Sequence, residues 1–150
     1  MEVLLIEKSI EINAPKEEVW KTLILDERNK IWYAAFSEGT QAVTDWQVGS
    51  KVSFLDHSQS GIIGFIKENK PNETLVIEYN GVINNGVEDY ESELAQAMKG
   101  FRESYQLTEK DGITRLDVQS DMGDAYFDMM SGQWDIAMVK IKELSEGKTA

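Results

Sequence analysis

Near the start of the chain Ile6, Lys8, Ile10 and Ile12 alternate with Glu7, Ser9 and Glu11, the period-two pattern of a half-buried strand with one face toward a core. Asn13-Ala14-Pro15 follows and predicts a helix start, with a capping side chain and a proline suited to the first turn. Glu17 and Glu18 then stand at the positive end of the helix dipole. Val19 with Leu23 and Trp20 with Ile24 are i,i+4 pairs on one side of that helix, and Lys16, Glu17, Lys21 and Thr22 populate the other.

From Asp26 to Phe36 the pattern is mixed, and Ile31, Trp32, Tyr33 and Phe36 fit a second short helix with its aromatic residues turned inward. Strand-like runs come next at Val52 to Asp56, Ile62 to Glu68, Leu75 to Asn80, Glu103 to Thr108 and Ile113 to Ser120. Turn chemistry separates them at Gly61, Lys70-Pro71-Asn72, Asn80-Gly81, Asn84-Asn85-Gly86 and Asp111-Gly112. Asp111-Gly112 is the strongest of these, because a type I′ hairpin turn needs positive φ at both central residues. It should place Tyr105 and Leu107 on one face near Leu116 and Val118. Tyr90, Leu94 and Met98 recur every four residues and predict an acidic helix over Glu88 to Lys99, either a lid or an edge element.

Phe127, Met130, Trp134, Ala137, Met138, Ile141 and Leu144 form a single stripe opposed by Asp128, Asp135, Lys142 and Glu143, which predicts a long closing helix. Asp124 is its expected N-cap and Gly147 its C′ residue. A strand, a helix, a run of antiparallel strands and a long last helix make an α+β fold with helices on one face of the sheet. Neither repeat nor linker divides the 150 residues, so one domain over 1–150 is expected.

Charge narrows the partners. There are 27 acidic residues against 15 basic ones, a net charge of -12 that repels phosphate backbones and anionic membranes, so neither nucleic acid nor membrane insertion is expected. The opening Val3-Leu4-Leu5-Ile6 run is short and flanked by Glu2, Glu7 and Lys8, and we expect neither signal peptide nor anchor. Without cysteine there is no disulfide or thiolate chemistry, which fits a cytoplasmic setting.

Four stretches carry a family resemblance: Ile10-Glu11-Ile12-Asn13-Ala14-Pro15-Lys16-Glu17-Glu18-Val19-Trp20; Trp46-Gln47-Val48-Gly49-Ser50-Lys51-Val52; Gly64-Phe65-Ile66 running to Leu75; and Gly132-Gln133-Trp134-Asp135 leading into Val139-Lys140-Ile141-Lys142-Glu143-Leu144. Together they resemble the START-like helix-grip (SRPBCC) superfamily, within it the branch named for the activator of heat-shock-protein-90 ATPase. The resemblance implies a curved antiparallel sheet wrapped around a long C-terminal helix, often enclosing an apolar cavity for lipids, polyketides, hormones or other hydrophobic ligands. It also implies co-chaperones and, in related folds, cyclases and hydrolases.

Catalytic chemistry has little to stand on. His57 is the only histidine, at an expected strand end, and reads as an exposed loop residue; no Gly-x-Ser-x-Gly elbow or phosphate loop accompanies it. One histidine and no cysteine argue against zinc, and Glu88, Asp89, Glu91 and Glu93 lack calcium-loop spacing, so neither metal nor cofactor is expected. An acid/base pair of Asp117 with Tyr79 or Tyr105 is the remaining enzymatic option.

The leading expectation is non-catalytic binding of a hydrophobic small molecule between the sheet and the last helix. Its expected site residues are Trp32, Phe36, Phe54, Ile77, Tyr79, Tyr105, Leu116, Trp134 and Met138, with Tyr79 and Tyr105 favoured because a buried hydroxyl needs a partner. Phe65 belongs to the same aromatic set, most of which core packing alone would explain. The alternatives are a co-chaperone-type module that meets a chaperone through its sheet surface, and a cyclase- or hydrolase-like enzyme. A void above a few hundred cubic ångströms favours the first, a filled interior the second.

Overall fold

The computed structural model describes residues 2–147. Strand β1 (Val3–Ile12) buries Ile6 and Ile12 and exposes Glu7, Ser9 and Glu11, so the alternation in the sequence is the pleat itself. Helix α1 (Lys16–Ile24) buries Val19, Trp20, Thr22 and Leu23. Its start differs from expectation: Pro15 is the N-cap with an extended ψ of 156°, and Asn13 does not cap. That places Asn13 too far back to reach the first-turn amides. The Pro15 carbonyl accepts the N–H of Glu18 at 3.0 Å, and Glu109 Oε1 accepts the N–H of Lys16 at 2.8 Å from a distant strand.

Helix α2 (Asp26–Tyr33) follows after one residue and buries Asn29, Trp32 and Tyr33. Trp32 Nε1 donates to the Thr22 carbonyl at 2.9 Å and Asn29 Nδ2 to the Leu23 carbonyl at 3.3 Å. The free carbonyls at the end of α1 therefore fix the position of α2.

The remaining strands are β2 (Gln41–Val43), β3 (Lys51–Leu55), β4 (Gly61–Lys70), β5 (Thr74–Asn84), β6 (Val87–Asp89), β7 (Arg102–Lys110) and β8 (Ile113–Gly123). They form one antiparallel eight-stranded sheet in the order β1-β8-β7-β5-β4-β3-β2, with β6 paired to β5. β2 and β6 were not expected, since three residues each are too few to show a period.

Asn80-Gly81 does not turn the chain. Gly64 pairs with Tyr79 and Ile63 with Gly81, so Asn80 is the extra residue of a bulge and β5 runs on to Asn84. A Cβ on Gly64 would lie 2.2 Å from the Glu78 carbonyl oxygen, which is why glycine stands there. The turn comes at Asn85-Gly86, with φ of 49° and 82°, and leads into β6.

The acidic stretch is accordingly part strand and part helix. Asp89 Oδ1 accepts the N–H groups of Glu91 and Ser92 at 2.9 and 3.0 Å, which holds the chain in a turn and delays the helix. Helix α3 (Glu93–Met98) then starts under a Ser92 cap, its hydroxyl accepting the Ala95 N–H at 3.2 Å.

The β7–β8 hairpin follows expectation: Asp111 and Gly112 have φ of 53° and 78°, Tyr105 pairs with Val118 and Leu107 with Leu116. After a 3₁₀ turn at Asp124–Tyr126 comes α4 (Phe127–Ser145), which buries Trp134, Ala137, Met138, Ile141 and Ser145. Asp124 is not its N-cap, because it lies in the 3₁₀ turn with its own N–H donated to the Glu2 carbonyl at 2.9 Å. Gly147, at φ 81°, closes the helix with an N–H to the Leu144 carbonyl at 3.2 Å. The curved sheet grips α4 in an α+β helix-grip fold. Among the described residues no helix is long and apolar enough to cross a membrane.

Candidate functional site

A cavity of about 180 Å³ opens between α2, the first turns of α4 and strands β3, β4, β5 and β7. Six of the expected residues meet on its wall: Trp32, Phe36, Phe54, Tyr79, Tyr105 and Trp134. Ile77, Leu116 and Met138 do not; they are buried in the solid core instead. Phe65 is also absent from the wall, because in β4 Ile62 and Ile66 take the inward side. No residue of Glu88 to Lys99 reaches the wall, so the insert is not a lid; α3 packs against β5 with Ala95 fully buried.

The rings brace one another. Phe36 meets Trp134 at 4.9 Å and 70°, Tyr33 meets Phe54 at 5.6 Å and 89°, and Tyr105 meets Trp134 at 6.1 Å. Such edge-on contacts are favourable for quadrupoles but leave planar side chains unable to close the space between them. The rim is polar, made by Ser37, Thr40, Asp56 and Ser60. Asp56 ties it together by accepting the Ser37 hydroxyl at 3.1 Å and the Ser58 hydroxyl at 2.5 Å. Hydrogen bonds from Ser58 hold its carboxyl below the usual aspartate range.

Nine wall residues lie outside the expected site, Tyr33, Asp56 and Met130 among them, and the one that most changes its chemistry is Glu103. It precedes Tyr105 by two positions on β7, so both point inward, and the Tyr105 hydroxyl donates to Glu103 Oε2 at 2.5 Å. Tyr79 faces the same carboxyl from β5. The signal was present, since Glu103, Tyr105 and Leu107 share a parity and a charged residue on an inward face is unusual. Asp117, expected to meet these tyrosines, instead binds the Ser9 hydroxyl and Arg115 on exposed surface. It lies on the other face because its parity on β8 is opposite to that of Leu116 and Val118.

Burial raises the Glu103 carboxyl above the usual glutamate range, and the hydroxyls of Tyr105 and Tyr79 pull it partly back. Burial and the Glu103 charge push Tyr33, Tyr79 and Tyr105 well above the ordinary tyrosine value. The three phenols therefore stay protonated, and Tyr105 and Tyr79 offer their hydroxyls to Glu103. Trp134 adds a further donor: its Nε1 is buried and has no hydrogen-bond partner. His57 is exposed, on the turn between β3 and β4.

An aromatic cavity under a curved sheet, closed by a long helix, defines a helix-grip protein. The chain belongs to the family described as activator of Hsp90 ATPase homolog 1-like protein, whose model matches residues 13–146. Among solved structures it is similar to the Aha1 dimer from Colwellia psychrerythraea, with 16% identity, 98% of this chain and 99% of that chain covered and a TM-score of 0.74. It also resembles ChR145 from Cytophaga hutchinsonii, at 20% identity, 98% and 97% coverage and a TM-score of 0.69. CalU16 from Micromonospora echinospora aligns at 16% identity, 99% and 86% coverage and a TM-score of 0.66. Likeness at these identities shows the fold alone. No curated protein matches the chain in sequence.

Proposed function

We propose that this protein binds a small apolar molecule in the aromatic cavity without acting on it chemically. The observation that carries this reading is the unfilled space at the centre of seven ordered rings, in a protein interior that otherwise packs like a crystal. At about 180 Å³ the space falls short of the few hundred cubic ångströms expected of a ligand pocket but is not a filled interior, and it is close to an engineered cavity that takes benzene. The ligand it suits is a single ring or a short branched chain, not a polyketide or a fatty acid. Glu103, Tyr79 and Tyr105 are the polar handles that would orient it.

The test is a thermal-shift screen of small aromatic and branched compounds. At 100 times its dissociation constant a ligand adds about 2.7 kcal/mol, a rise of roughly 5 to 10 °C for a chain of this size. Tyr79→Phe should weaken ligands that carry a polar group and leave purely hydrocarbon ones unchanged. A screen without hits, repeated by native mass spectrometry on protein from its source, would sink the reading.

A second reading, a protein-interaction module of the co-chaperone type, is favoured by Met129, Ile136 and Val139, which are 56%, 54% and 49% exposed on the outer face of α4. Stimulation of a heat-shock-protein-90 ATPase, lost in Ile136→Ser, is the outcome that supports it.

A further inference from the structure

We propose that the cavity's ligand is a small organic cation, an amine or quaternary ammonium on an apolar body, whose charge is held by Glu103 among the rings. This rests on the binding reading above and names its ligand class.

Glu103 is a carboxyl without a cation. None of the ion pairs among the described residues includes it, and no lysine, arginine or histidine lines the cavity. Glu103 is half-buried on the cavity wall, and a carboxylate partly withdrawn from water is ordinarily paired, because removing the charge from water is costly. Here only phenol hydroxyls answer it: Tyr105 at 2.5 Å from β7, Tyr79 from β5, with Tyr33 facing it from α2. They leave a negative centre that a guest can neutralise.

The surroundings suit a positive guest in two further ways. Seven aromatic rings and no cationic side chain line the wall, and ring quadrupoles attract ammonium groups seated over a ring face within about 6 Å. The rim carries a second carboxylate, Asp56, and the whole chain has a net charge of -12, so the field draws cations inward. An anionic guest such as a fatty acid would stand against Glu103, and a neutral hydrocarbon would seal the carboxyl away from water with no counter-ion. The volume of about 180 Å³ limits the guest to roughly the size of choline or benzylamine.

Two matched pairs test this by calorimetric titration at neutral pH: choline against its uncharged dimethylbutanol isostere, and benzylamine against benzyl alcohol. Each cation should bind at least about tenfold tighter than its neutral counterpart. In Glu103→Gln that preference should fall to roughly twofold or less. Equal or tighter binding of the neutral members to the wild type overturns the inference and leaves the apolar-binding reading in place. Binding of none of the probes overturns it as well, and the hydrophobic screen then decides separately whether the cavity binds anything. The wild-type contrast stands without the variant, should Glu103→Gln fail to fold.

Discussion

The two halves of the interior are built from different materials. Between β1, β8, α1 and the later turns of α4, the core is aliphatic apart from Trp20 of α1: Ile6, Ile12, Val19, Leu23, Leu116 and Ile141 are each no more than 1% exposed, and none of them borders the cavity. Its few polar groups are satisfied within it, Ser145 Oγ donating to Thr22 Oγ1 at 2.9 Å and Thr114 Oγ1 to the Ala14 carbonyl at 2.7 Å. Between α2, β3, β5, β7 and the first turns of α4, rings replace branched chains. There a void remains, Glu103 lacks a counter-ion and Trp134 Nε1 lacks an acceptor. Branched aliphatic chains interdigitate and fill space, whereas rigid rings meeting edge-on build a frame. The half whose polar groups are incompletely matched is the half in which we propose that a guest binds.

Trp134 sits at the seam and should show the largest effect. Trp134→Ala should cost roughly 3 to 5 kcal/mol in denaturant titration and remove ligand binding as well. A loss below about 0.5 kcal/mol would mean that the ring does not support the frame.

Leu116→Ala probes the solid half alone. It should cost about 2 to 5 kcal/mol, toward the upper end because the packed surroundings cannot collapse, while ligand affinity measured on the folded protein stays the same. Altered affinity would show that the two halves are coupled.

Glu103→Gln should have the smallest effect, visible in its pH dependence. Burial raises the folded-state pKa of Glu103, so the native protein holds that proton more tightly than the unfolded chain. The contribution to stability is full below the unfolded value and is lost as pH rises through the folded one. Without ligand, the wild type should therefore lose stability relative to Glu103→Gln from about pH 4 upward and then level off. The groups facing the carboxyl, Tyr33, Tyr79 and Tyr105, do not ionise in that window, and Asp56, held low, is already charged over most of it. A wild type that gains relative to the variant across the same range would show Glu103 already stabilised as an anion.

Much of this was legible in the chain. The alternation from Ile6 to Ile12, the stripe through Trp134, Ala137 and Ile141, and the Asp111-Gly112 turn each carry their own local signal, and each has the structure expected of it. Six of the nine expected site residues came together because aromatic residues at inward parity on β3, β5 and β7, on two helices and, for Phe36, on the turn just past α2 and not in the helix expected to hold it, have one interior to share. Ile77, Leu116 and Met138 share that orientation too. Distance along β5 or α4 from the void separates Ile77 and Met138, and Leu116 lies on β8, which does not reach the wall; a period of two or 3.6 encodes neither.

By itself, then, the sequence determined the longer elements and most of their inward faces, since backbone stereochemistry and periodicity operate over a few residues, and its motifs carried the family resemblance. Tertiary structure decided the rest. It decided that Asn80 would bulge and not turn, because β4 crosses close to the Glu78 carbonyl at Gly64. It decided that Glu103 and not Asp117 would meet Tyr105 and Tyr79, because strand register sets which carboxylate enters the interior. It also decided that the rings would leave a space, because a void belongs to the packing of seven side chains at once and to none of them separately.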